Sequence, residues 1–369
     1  MLIGIDASRS VTQQRTGTEA YTYFLIKSLI SQTRENGYDL RLYFNEPPPA
    51  NLFAELPHVE FRVMPFARLW THVRLARELR HDPPDVFFTP AHVIPFIHRG
   101  AAAATVHDLG YHYFPEAHTA SQAAYLKLST RANSLIAREL IADSAATKRD
   151  LVRFYGTDPA KINVVYPGLD PELRQVSDLQ EIARACTEYR IEGPYLLYMG
   201  TLQPRKNLKR LVQAFALADL PHQLVLAGKT GWQTEELFEE LAALDSAVRA
   251  RVLLPGFVPE SRKAALLSGA AALVYPSLYE GFGFPVLEAQ ACGIPVLAAN
   301  SSSLPEISGG GALLVDPLDV DEIAAGMQQI AGDNDLRQAL VANGQTNVQR
   351  FSWDQAASAV LRILEKAAR

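Results

Sequence analysis

Residues 279–297, YEGFGFPVLEAQACGIPVL, predict a loop, a helix and a strand in direct succession. A predicted strand, Ala271–Tyr275, precedes the loop. Pro285 stands where a helix begins and Gly293 stands just past its end, as is common at helix termini. The stretch Pro295–Ala299 then returns as the next strand. Because a helix that joins two strands in this way makes them parallel, the stretch predicts an α/β fold.

The same alternation of short apolar runs and helix-period segments extends along the whole chain. The predicted strands of the first half are Leu2–Ala7, Leu40–Phe44, Val86–Thr89, Ala101–Val106, Glu139–Asp143 and Lys161–Val165. Those of the second half are Tyr195–Tyr198, Gln223–Ala227, Val252–Leu254, Ala271–Tyr275 and Pro295–Ala299. A charged stretch, Asp170–Pro194, separates the two series. The sequence therefore predicts two doubly wound, Rossmann-like domains, residues 1–180 and 190–352, with a C-terminal helix at 353–369 that packs back on the first.

Length and composition agree with two soluble domains. The chain has 369 residues, 48% of them hydrophobic, and 35 basic against 40 acidic residues give a net charge of -5. This balance argues against nucleic acid as a partner, since sequence-independent binders carry a basic excess. Cys186 and Cys292 form no metal-ligand or disulfide pattern. We find no signal-peptide pattern and no apolar run of about 18 residues, so we expect a cytoplasmic protein.

Basic residues follow the strand Tyr195–Tyr198, where ligands of open parallel sheets bind. The loop contains Gly200 and then Arg205 and Lys206, and Asn207 is a plausible N-cap for the helix that follows. Two cations ahead of a helix could hold a diphosphate through charge-assisted hydrogen bonds. The alternative, a solvated surface turn, stays open on this loop alone.

Two glutamates flank the glycine-rich loop after Ala271–Tyr275. Glu280 lies in the loop, Glu288 lies about one turn into the helix, and Gly281 and Gly283 would let backbone N–H groups approach an anion. A carboxylate accepts hydrogen bonds from paired sugar hydroxyls. One glutamate could therefore hold a ribose and the other a second sugar, with phosphates between them. A helix-dipole role for Glu288 and an exposed Glu280 is the alternative.

Two sites of the first half are less specific. His107 directly follows the strand Ala101–Val106 in VHDLG, and a lone histidine at such a position is more often structural than catalytic. Gly17 and Thr18 precede a helix without any GxGxxG pattern, so the loop gives no dinucleotide signature.

Residues 66–80, FARLWTHVRLARELR, carry four arginines against one acidic residue, Glu78. Leu69, Trp70, Val73, Ala76 and Leu79 would form an apolar stripe on a helix. A basic amphipathic helix can lie on an anionic bilayer, and this predicts peripheral contact with the inner membrane face. The alternative is that the stripe packs on the protein's own core.

Together these segments resemble the retaining nucleotide-sugar glycosyltransferases of the GT-B fold, specifically family 4 (group 1). The landmarks are TGTEAYTYFL (16–25), VHDLG (106–110), ADSAATKRDLVRFYG (142–156), KINVVYPGLD (161–170), YMGTLQPRKNL (198–208), LVLAG (224–228), PGFVPE (255–260) and YPSLYEGFGFPVLEAQACGIPVLAANSSSLPEI (275–307). The resemblance implies two domains that face each other across a cleft. It also implies a nucleotide-sugar donor, a glycan or lipid-linked glycan acceptor, and no metal or other cofactor.

The resemblance also implies roles for individual residues. The residues of the second domain would bind the donor. Arg205 and Lys206 would contact the diphosphate, Glu288 would hold the ribose, and Glu280 would lie beside the transferred sugar. Backbone N–H groups of Phe282, Gly283 and Phe284 would donate to the donor, Phe257 and Val258 would meet the base, and Gly200 lies in the donor-binding loop. Those in the first domain are His107 near the reacting centre and Gly17 near the acceptor and phosphate. The segment SRSVTQQRTGTEAY departs from the family pattern because it has one glycine where many members have two.

The expected function is retaining transfer of a hexose, with mannose favoured, from GDP-mannose or UDP-glucose to a hydroxyl group. Two alternatives stay open. One is a sugar-nucleotide epimerase or phosphorylase of the same architecture, although no lysine context suggests a pyridoxal phosphate site. The other is a non-catalytic protein that binds nucleotide sugars.

Overall fold

The computed structural model describes residues 1–12, 17–91, 93–117 and 119–369. It divides into two compact units. The first unit combines Met1–Gly168 with Phe351–Arg369, and the second is Leu169–Arg350. Each unit contains its own parallel sheet, as the alternation of strands and helices predicts.

The described residues of the first unit form a seven-stranded sheet in which every neighbouring pair is parallel. Its strands are β1 (Leu2–Asp6), β2 (Asp39–Phe44), β3 (Val59–Val63), β4 (Val86–Thr89), β5 (Ala101–Val106), β6 (Glu139–Ala142) and β7 (Ile162–Val164). The spatial order is β3-β2-β1-β4-β5-β6-β7. The order reverses between β1 and β4, which makes this point the switch point of a doubly wound sheet.

Helices connect these strands. They are α1 (Gly17–Asn36), α2 (Ala76–His81), which follows a π-helical turn at Thr71–Leu75, α3 (Gly110–Tyr113), α4 (Ala120–Ile136) and α5 (Ala145–Tyr155). Thr119 caps α4 in a reciprocal capping box with Gln122, and Ser144 caps α5. These side chains fix where the two helices begin.

The second unit repeats the architecture. Its strands are β8 (Tyr195–Met199), β9 (Gln223–Ala227), β10 (Val252–Gly256), β11 (Ala272–Tyr275), β12 (Val296–Ala299) and β13 (Leu313–Val315). Its helices are α6 (Leu179–Glu188), α7 (Leu208–Ala218), α8 (Glu235–Ala243), α9 (Ser246–Arg249), α10 (Glu260–Ser268), α11 (Phe284–Ala291), α12 (Leu304–Ser308), α13 (Val320–Gly332) and α14 (Asn334–Val348). The strand order, for the described residues, is β10-β9-β8-β11-β12-β13, again with a switch point between the first and fourth strands.

The last helix, α15 (Trp353–Ala368), belongs to the first unit. It shares an apolar cluster with α1 and with Ile3 and Ile5 of β1. Gln32 donates to the carbonyl of Asp354 at 2.8 Å, which ties the two helices together. Gly168 has no room for a side chain, because a Cβ there would collide with the backbone of Trp353. The chain therefore returns to the first unit after completing the second.

Two strands and one boundary differ from the sequence prediction. The prediction missed β3 and β13, which are edge strands and only partly buried, so they lack the continuous apolar run of a central parallel strand. The boundary between the units lies at residues 168–169, before the predicted position near 180. Residues after 169 belong to the second unit because α6 packs against α10.

Candidate active site

The loops after β8 and β11 meet at the switch point of the second sheet, because these two strands are neighbours. Three charged side chains lie close together there. Arg205 Nη1 donates to Glu280 Oε2 at 2.9 Å, and Lys206 Nζ donates to Glu280 Oε1. We call Arg205, Lys206 and Glu280 the ion cluster. The structure thus brings together three of the predicted site residues, and their formal charges sum to +1.

The carboxylate of the ion cluster is buried and ionised. Glu280 is 6% exposed. Burial alone would raise its pKa, but the charges of Arg205 and Lys206 lower the pKa to about 2. Glu280 is therefore an acceptor of hydrogen bonds at neutral pH and holds no proton to donate. The alternative of an exposed Glu280 is wrong.

Neighbouring groups fix the cluster in place. The hydroxyl of Tyr275 donates to Glu280 Oε1 at 3.0 Å and accepts from Lys206 Nζ at 2.6 Å. The Lys206 ammonium also lies 5.0 Å from the centre of the Tyr275 ring, within the range of a cation–π contact. Arg205 donates to the carbonyl of Tyr279 at 2.9 Å. Lys206 is nearly as buried as Glu280, whereas 24% of the Arg205 side chain is exposed.

Asn207 acts differently from the capping residue that the sequence predicts. It occupies the N-cap position of α7, but its φ is +62° and its side chain makes no capping bond. Its Nδ2 instead donates to the carbonyls of Pro276 at 3.1 Å and Pro317 at 2.6 Å. Asn207 therefore joins the loop of the cations to the loop of Glu280.

Glu288 is part of a second ionic group. It lies in the second turn of α11, where Lys263 Nζ of α10 is 2.9 Å from its Oε1. The same ammonium is 2.9 Å from Glu260 Oε2. Burial would lower the pKa of Lys263, but the two carboxylates raise its pKa above the ordinary value. Lys263 therefore stays charged and fixes the position of the Glu288 carboxylate.

The start of α11 requires a glycine at its N-cap position, residue 283. Its φ is +115°, and a Cβ would lie 2.7 Å from Leu304 Cδ2. Phe282, which is buried, and Phe284 flank it with ring centres 4.9 Å apart. The hydroxyl of Ser303 lies 2.6 Å from the carbonyl of Phe282. The backbone at the start of α11 is thus held in one conformation.

The remaining predicted residues of the second unit lie on the loops after β8 and β10. Gly200 follows β8 with a φ of +150°, and its carbonyl lies so close to Gly228 that Gly228 can carry no side chain. Val258 is buried. Phe257 is 47% exposed, with Lys229 Nζ 4.6 Å from the centre of its ring.

In the first unit, His107 lies between the ends of three strands. It follows β5, and its Nδ1 is 2.7 Å from Asp143 Oδ2, just after β6. Its Nε2 is 2.8 Å from the carbonyl of Pro90, just after β4. Both partners are acceptors, so the ring satisfies both contacts only as an imidazolium. Burial lowers the pKa of His107, but Asp143 raises it, and the resulting pKa is above the ordinary value.

Gly17 is the first described residue of α1, and a Cβ there would meet no atom of the described residues within 4 Å. The described part of the fold therefore gives no steric reason for glycine at this position. Residues 13–16 of the preceding loop lie outside the described residues.

Residues 66–80 do not form the single amphipathic helix that the sequence predicts. The π-helical turn begins only at Thr71, because Leu69 adopts a φ of +57°. Trp70, Ala76 and Leu79 are buried, as the alternative prediction has it. Leu69 and Val73 point outward and are exposed. Among the described residues, no helix is long and apolar enough to cross a bilayer.

Sequence reasoning missed several residues of these groups. Lys263, Tyr275 and Asp143 act through partners that are distant in the chain. Ser277 Oγ and Gln203 Oε1 are buried in the loops beside the ion cluster and have no hydrogen-bond partner among the described residues. The available signal for these residues was their place at the carboxyl ends of predicted strands, since Asp143 is the last residue of Glu139–Asp143 and Ser277 lies two residues after Ala271–Tyr275.

Known proteins share this sequence and architecture. The sequence models described as "Glycosyl transferases group 1" and "Glycosyltransferase Family 4" match residues 181–347 and 16–173. The O-antigen chain mannosyltransferase B of Escherichia coli is 30% identical over 287 residues, which are 76% of this chain and 74% of that protein. The chain belongs to the family 4, group 1 glycosyltransferases.

Two further comparisons concern parts of this glycosyltransferase and its fold. The D-inositol 3-phosphate glycosyltransferase of Xylanimonas cellulosilytica is 33% identical over 238 residues, which are 62% of this chain and 57% of that protein. The solved structure of Alr3699/HepE from Anabaena, in complex with UDP-glucose, aligns with a TM-score of 0.76 at 19% identity and covers 99% of both chains. The predicted fold class, two Rossmann-like domains of the GT-B fold, is thereby confirmed.

Proposed function

We propose that this glycosyltransferase transfers a hexose, with mannose favoured, from a nucleoside-diphosphate sugar to an acceptor hydroxyl with retention of the anomeric configuration. The observation that carries the proposal is the ion cluster at the switch point of the second sheet. It supplies one net positive charge at the position where open α/β sheets bind ligands.

The ion cluster suits a departing diphosphate. In the reaction, the bond between the anomeric carbon and the phosphate oxygen breaks, and a bond from the acceptor oxygen to that carbon forms. The proton of the acceptor hydroxyl goes to the departing diphosphate. Negative charge therefore grows on the phosphate oxygens, and fixed cations stabilise it without reorganising. Glu280 holds both cations in place and offers its carboxylate to sugar hydroxyls.

The group around Glu288 suits a ribose. Lys263 holds the carboxylate of Glu288 at one edge, and the remaining lone pairs of the oxygens can accept hydrogen bonds from the two ribose hydroxyls. Phe257 and Val258 lie on the loop after β10, where the base would bind. Phe282, Gly283 and Phe284 would offer backbone N–H groups to the sugar and phosphate.

The relatives support our proposal for the donor and the acceptor. Similarity to an O-antigen chain mannosyltransferase supports mannose as the transferred sugar, and we propose GDP-mannose rather than UDP-glucose as its donor. The acceptor we propose is a growing glycan, free or linked to a lipid, and peripheral contact with the inner membrane face through residues 66–80 would bring the enzyme to it. We further propose that no metal is needed, since Arg205 and Lys206 supply the positive charge.

A panel of sugar nucleotides tests the donor assignment. GDP-mannose, GDP, UDP-glucose and UDP would be added to the protein with and without EDTA, and the melting temperature recorded. Because a ligand of the native state raises that temperature by mass action, we expect the largest shift with GDP or GDP-mannose, unchanged by EDTA. A larger shift with the uridine nucleotides would reject the GDP-mannose donor.

Product analysis tests the reaction itself. Proton NMR of the new linkage should show the anomeric configuration of the donor, and an inverted product would reject retention. Conversion of the sugar nucleotide in the absence of any acceptor would support the epimerase alternative. Tight donor binding with neither transfer nor hydrolysis across many acceptors would support a non-catalytic binding protein.

A further inference from the structure

The second unit exposes a tryptophan on one of its loops. Of the three tryptophans in the chain, Trp70 and Trp353 are buried, whereas Trp232 is 44% exposed. Within the part of the chain that the structure describes, the ring of Trp232 stacks on no other ring and its Nε1–H donates no hydrogen bond. Because single exposed apolar side chains are common at protein surfaces, the meaning of this exposure depends on the loop that carries the ring.

The loop fixes the backbone on both sides of Trp232. It comprises residues 228–234, directly after β9, and we call it the β9 loop. Gly231 donates its N–H to the Leu202 carbonyl at 2.9 Å, and a Cβ at Gly231 would lie 2.5 Å from that oxygen. Gln233 adopts a φ of +52°, in the left-handed region that residues with side chains rarely adopt. Strained residues of this kind cluster where a ligand requires one fixed geometry, so the β9 loop is a rigid support for the exposed ring.

The β9 loop lies between the two loops to which we assign the donor. Strand β9 is hydrogen-bonded to β10 on one side and to β8 on the other. Toward β10, the Lys229 ammonium lies over the ring of Phe257. Toward β8, Thr230 forms a parallel bridge with Leu202, in the loop that also carries the two cations of the ion cluster. Trp232 comes two residues after this bridge, so it emerges beside the loop of the cations and not beside the proposed position of the base.

The groups around Trp232 suit a neutral ligand that is rich in hydroxyls. Residues 228–236 contain one cation, Lys229, and two glutamates in the first turn of α8, so they offer no excess of positive charge to a phosphate. Thr201 and Thr230 are exposed on the two sides of the bridge and can exchange hydrogen bonds with hydroxyls. The C–H groups on the face of a sugar ring fit against the negative face of an indole, and the indole N–H can donate to a sugar oxygen.

We propose that Trp232 stacks on a sugar ring of the acceptor glycan other than the sugar that receives the hexose. The inference rests on the proposed function, because it assumes a glycan acceptor, and it adds a sugar-binding subsite formed by Trp232, Thr201 and Thr230. A glycan of several sugars reaches this subsite and the reacting centre together, whereas a single sugar occupies only one of them.

Tryptophan fluorescence of the full chain tests the inference, because the other two tryptophans are buried and give a constant background. A mannose tetrasaccharide and a glucose tetrasaccharide would be titrated with and without GDP. We expect at least one tetrasaccharide to shift the emission to shorter wavelength, since the stacked ring loses contact with water. Absence of a shift with both sugars would overturn the proposal. A shift with GDP alone, and no further change with either sugar, would place Trp232 at the base and would overturn it as well.

The variants Trp232→Ala and Trp232→Phe separate stacking from folding. Trp232→Ala should raise the dissociation constant of the bound tetrasaccharide about tenfold, because the aromatic face is lost. Trp232→Phe keeps an aromatic face and should raise the constant only about twofold. Saturation-transfer NMR of the sugar protons measures these constants without relying on tryptophan emission.

The matched control is Phe238→Ala, which removes an equally exposed aromatic ring from α8. It should bind the tetrasaccharide as the wild type does. All three variants should keep their melting temperature, because both rings are exposed and contribute little to the core. Equal affinity of Trp232→Ala and the wild type, or equal losses in Trp232→Ala and Phe238→Ala, would contradict the assignment.

The subsite and the proposed donor site can fail separately. The fluorescence response to a tetrasaccharide needs no donor, and the thermal shift with GDP needs no glycan. Normal GDP shifts without a response to either tetrasaccharide would reject the subsite alone, whereas a response to a tetrasaccharide without a GDP shift would reject the donor site alone.

Discussion

Both units place an ionic group at the carboxyl ends of their parallel strands, yet the groups are opposite in composition. In the second unit, one carboxylate lies between two cations. In the first unit, one imidazole lies between two acceptors, the Asp143 carboxylate and the Pro90 carbonyl. The group in the second unit has an excess of positive charge. The group in the first unit has no excess once the imidazole of His107 is protonated.

We propose that this difference separates an anion site in the second unit from a structural clamp in the first, formed by His107, Asp143 and the carbonyl of Pro90. The pKa of Glu280 is lowered to about 2 by its neighbours, and the cations that hold it face a loop region with further polar groups. The pKa values of both His107 and Asp143 are raised, the latter chiefly because it is buried. Both ring nitrogens of His107 are occupied, so the ring joins the ends of β4, β5 and β6. Its predicted catalytic role stays a prediction.

Removing either cation of the ion cluster should have the largest effect on activity. We expect Arg205→Ala and Lys206→Ala each to reduce the transfer rate about 10²-fold or more, because each would act as a preorganised donor to the leaving group. Initial rates with saturating donor measure this. The control, Lys209→Ala, removes an exposed lysine that pairs with Glu236 at the surface. Normal turnover in the cluster variants would be incompatible with our assignment.

Neutralising the carboxylate should affect stability in a pH-dependent way. The folded pKa of Glu280 is below its ordinary value of 4.5, so its contribution is present above pH 4.5 and is lost as the pH falls toward 2. We expect Glu280→Gln to lower the free energy of unfolding by about 3 kcal/mol at pH 7 and by much less at pH 3. Urea unfolding at both pH values measures the difference. Glu236→Gln, which changes an exposed carboxylate of a surface salt bridge, is the control.

Removing the salt bridge between Lys263 and Glu288 should have a smaller effect, on the affinity for the donor. Lys263→Ala should weaken binding of GDP about tenfold, since it removes a charged hydrogen bond that positions the carboxylate. Isothermal titration calorimetry gives the dissociation constant. Glu260→Ala leaves the bond between Lys263 and Glu288 intact and should change the constant less than twofold. Equal effects of the two variants would show that Lys263 does not act through Glu288.

The clamp of the first unit can be tested by titration. Asp143→Asn should lower the pKa of His107 relative to the wild type, because burial then acts without the opposing carboxylate. NMR of the imidazole nitrogens as a function of pH measures the shift. A higher pKa in the variant would mean that Asp143 does not stabilise the imidazolium.

The smallest effect on the fold is expected at Gly17. Since a Cβ has open space there, Gly17→Ala should change the free energy of unfolding by no more than about 0.5 kcal/mol. A loss of transfer activity in this stable variant would assign the glycine to ligand binding. Gly283→Ala provides the contrast, because its φ and its contact with Leu304 predict about 1–3 kcal/mol of destabilisation. Thermal unfolding of both variants measures the pair.

The sequence predicts most of the architecture because central parallel strands are buried on both faces. β5 and β11 are continuous apolar runs, and their bounds follow closely from the sequence. The edge strands β3 and β13 lack that signal. The bend at Leu69 also has no sequence signal, since a left-handed leucine is unexpected from its residue type.

The site was predictable where its residues follow strands directly. Arg205, Lys206 and Glu280 could be placed near one another because the loops of adjacent parallel strands meet at one edge. Their mutual pairing, and the resulting low pKa of Glu280, required the structure. The bond between Lys263 and Glu288 joins two helices across 25 residues of sequence, and no periodicity connects them.

The position of α15 has a consequence for biosynthesis. Its partners on the first unit, such as Ile3 and Ile5, are translated at the beginning of the chain, whereas α15 is translated last. At about 5–20 residues per second, the second unit, Leu169–Arg350, which is translated before α15, alone takes roughly 10–40 seconds to make. During that interval the second unit can complete its core on the ribosome. One apolar face of the nascent first unit stays exposed, because its covering helix has not been made, and chaperones can bind it.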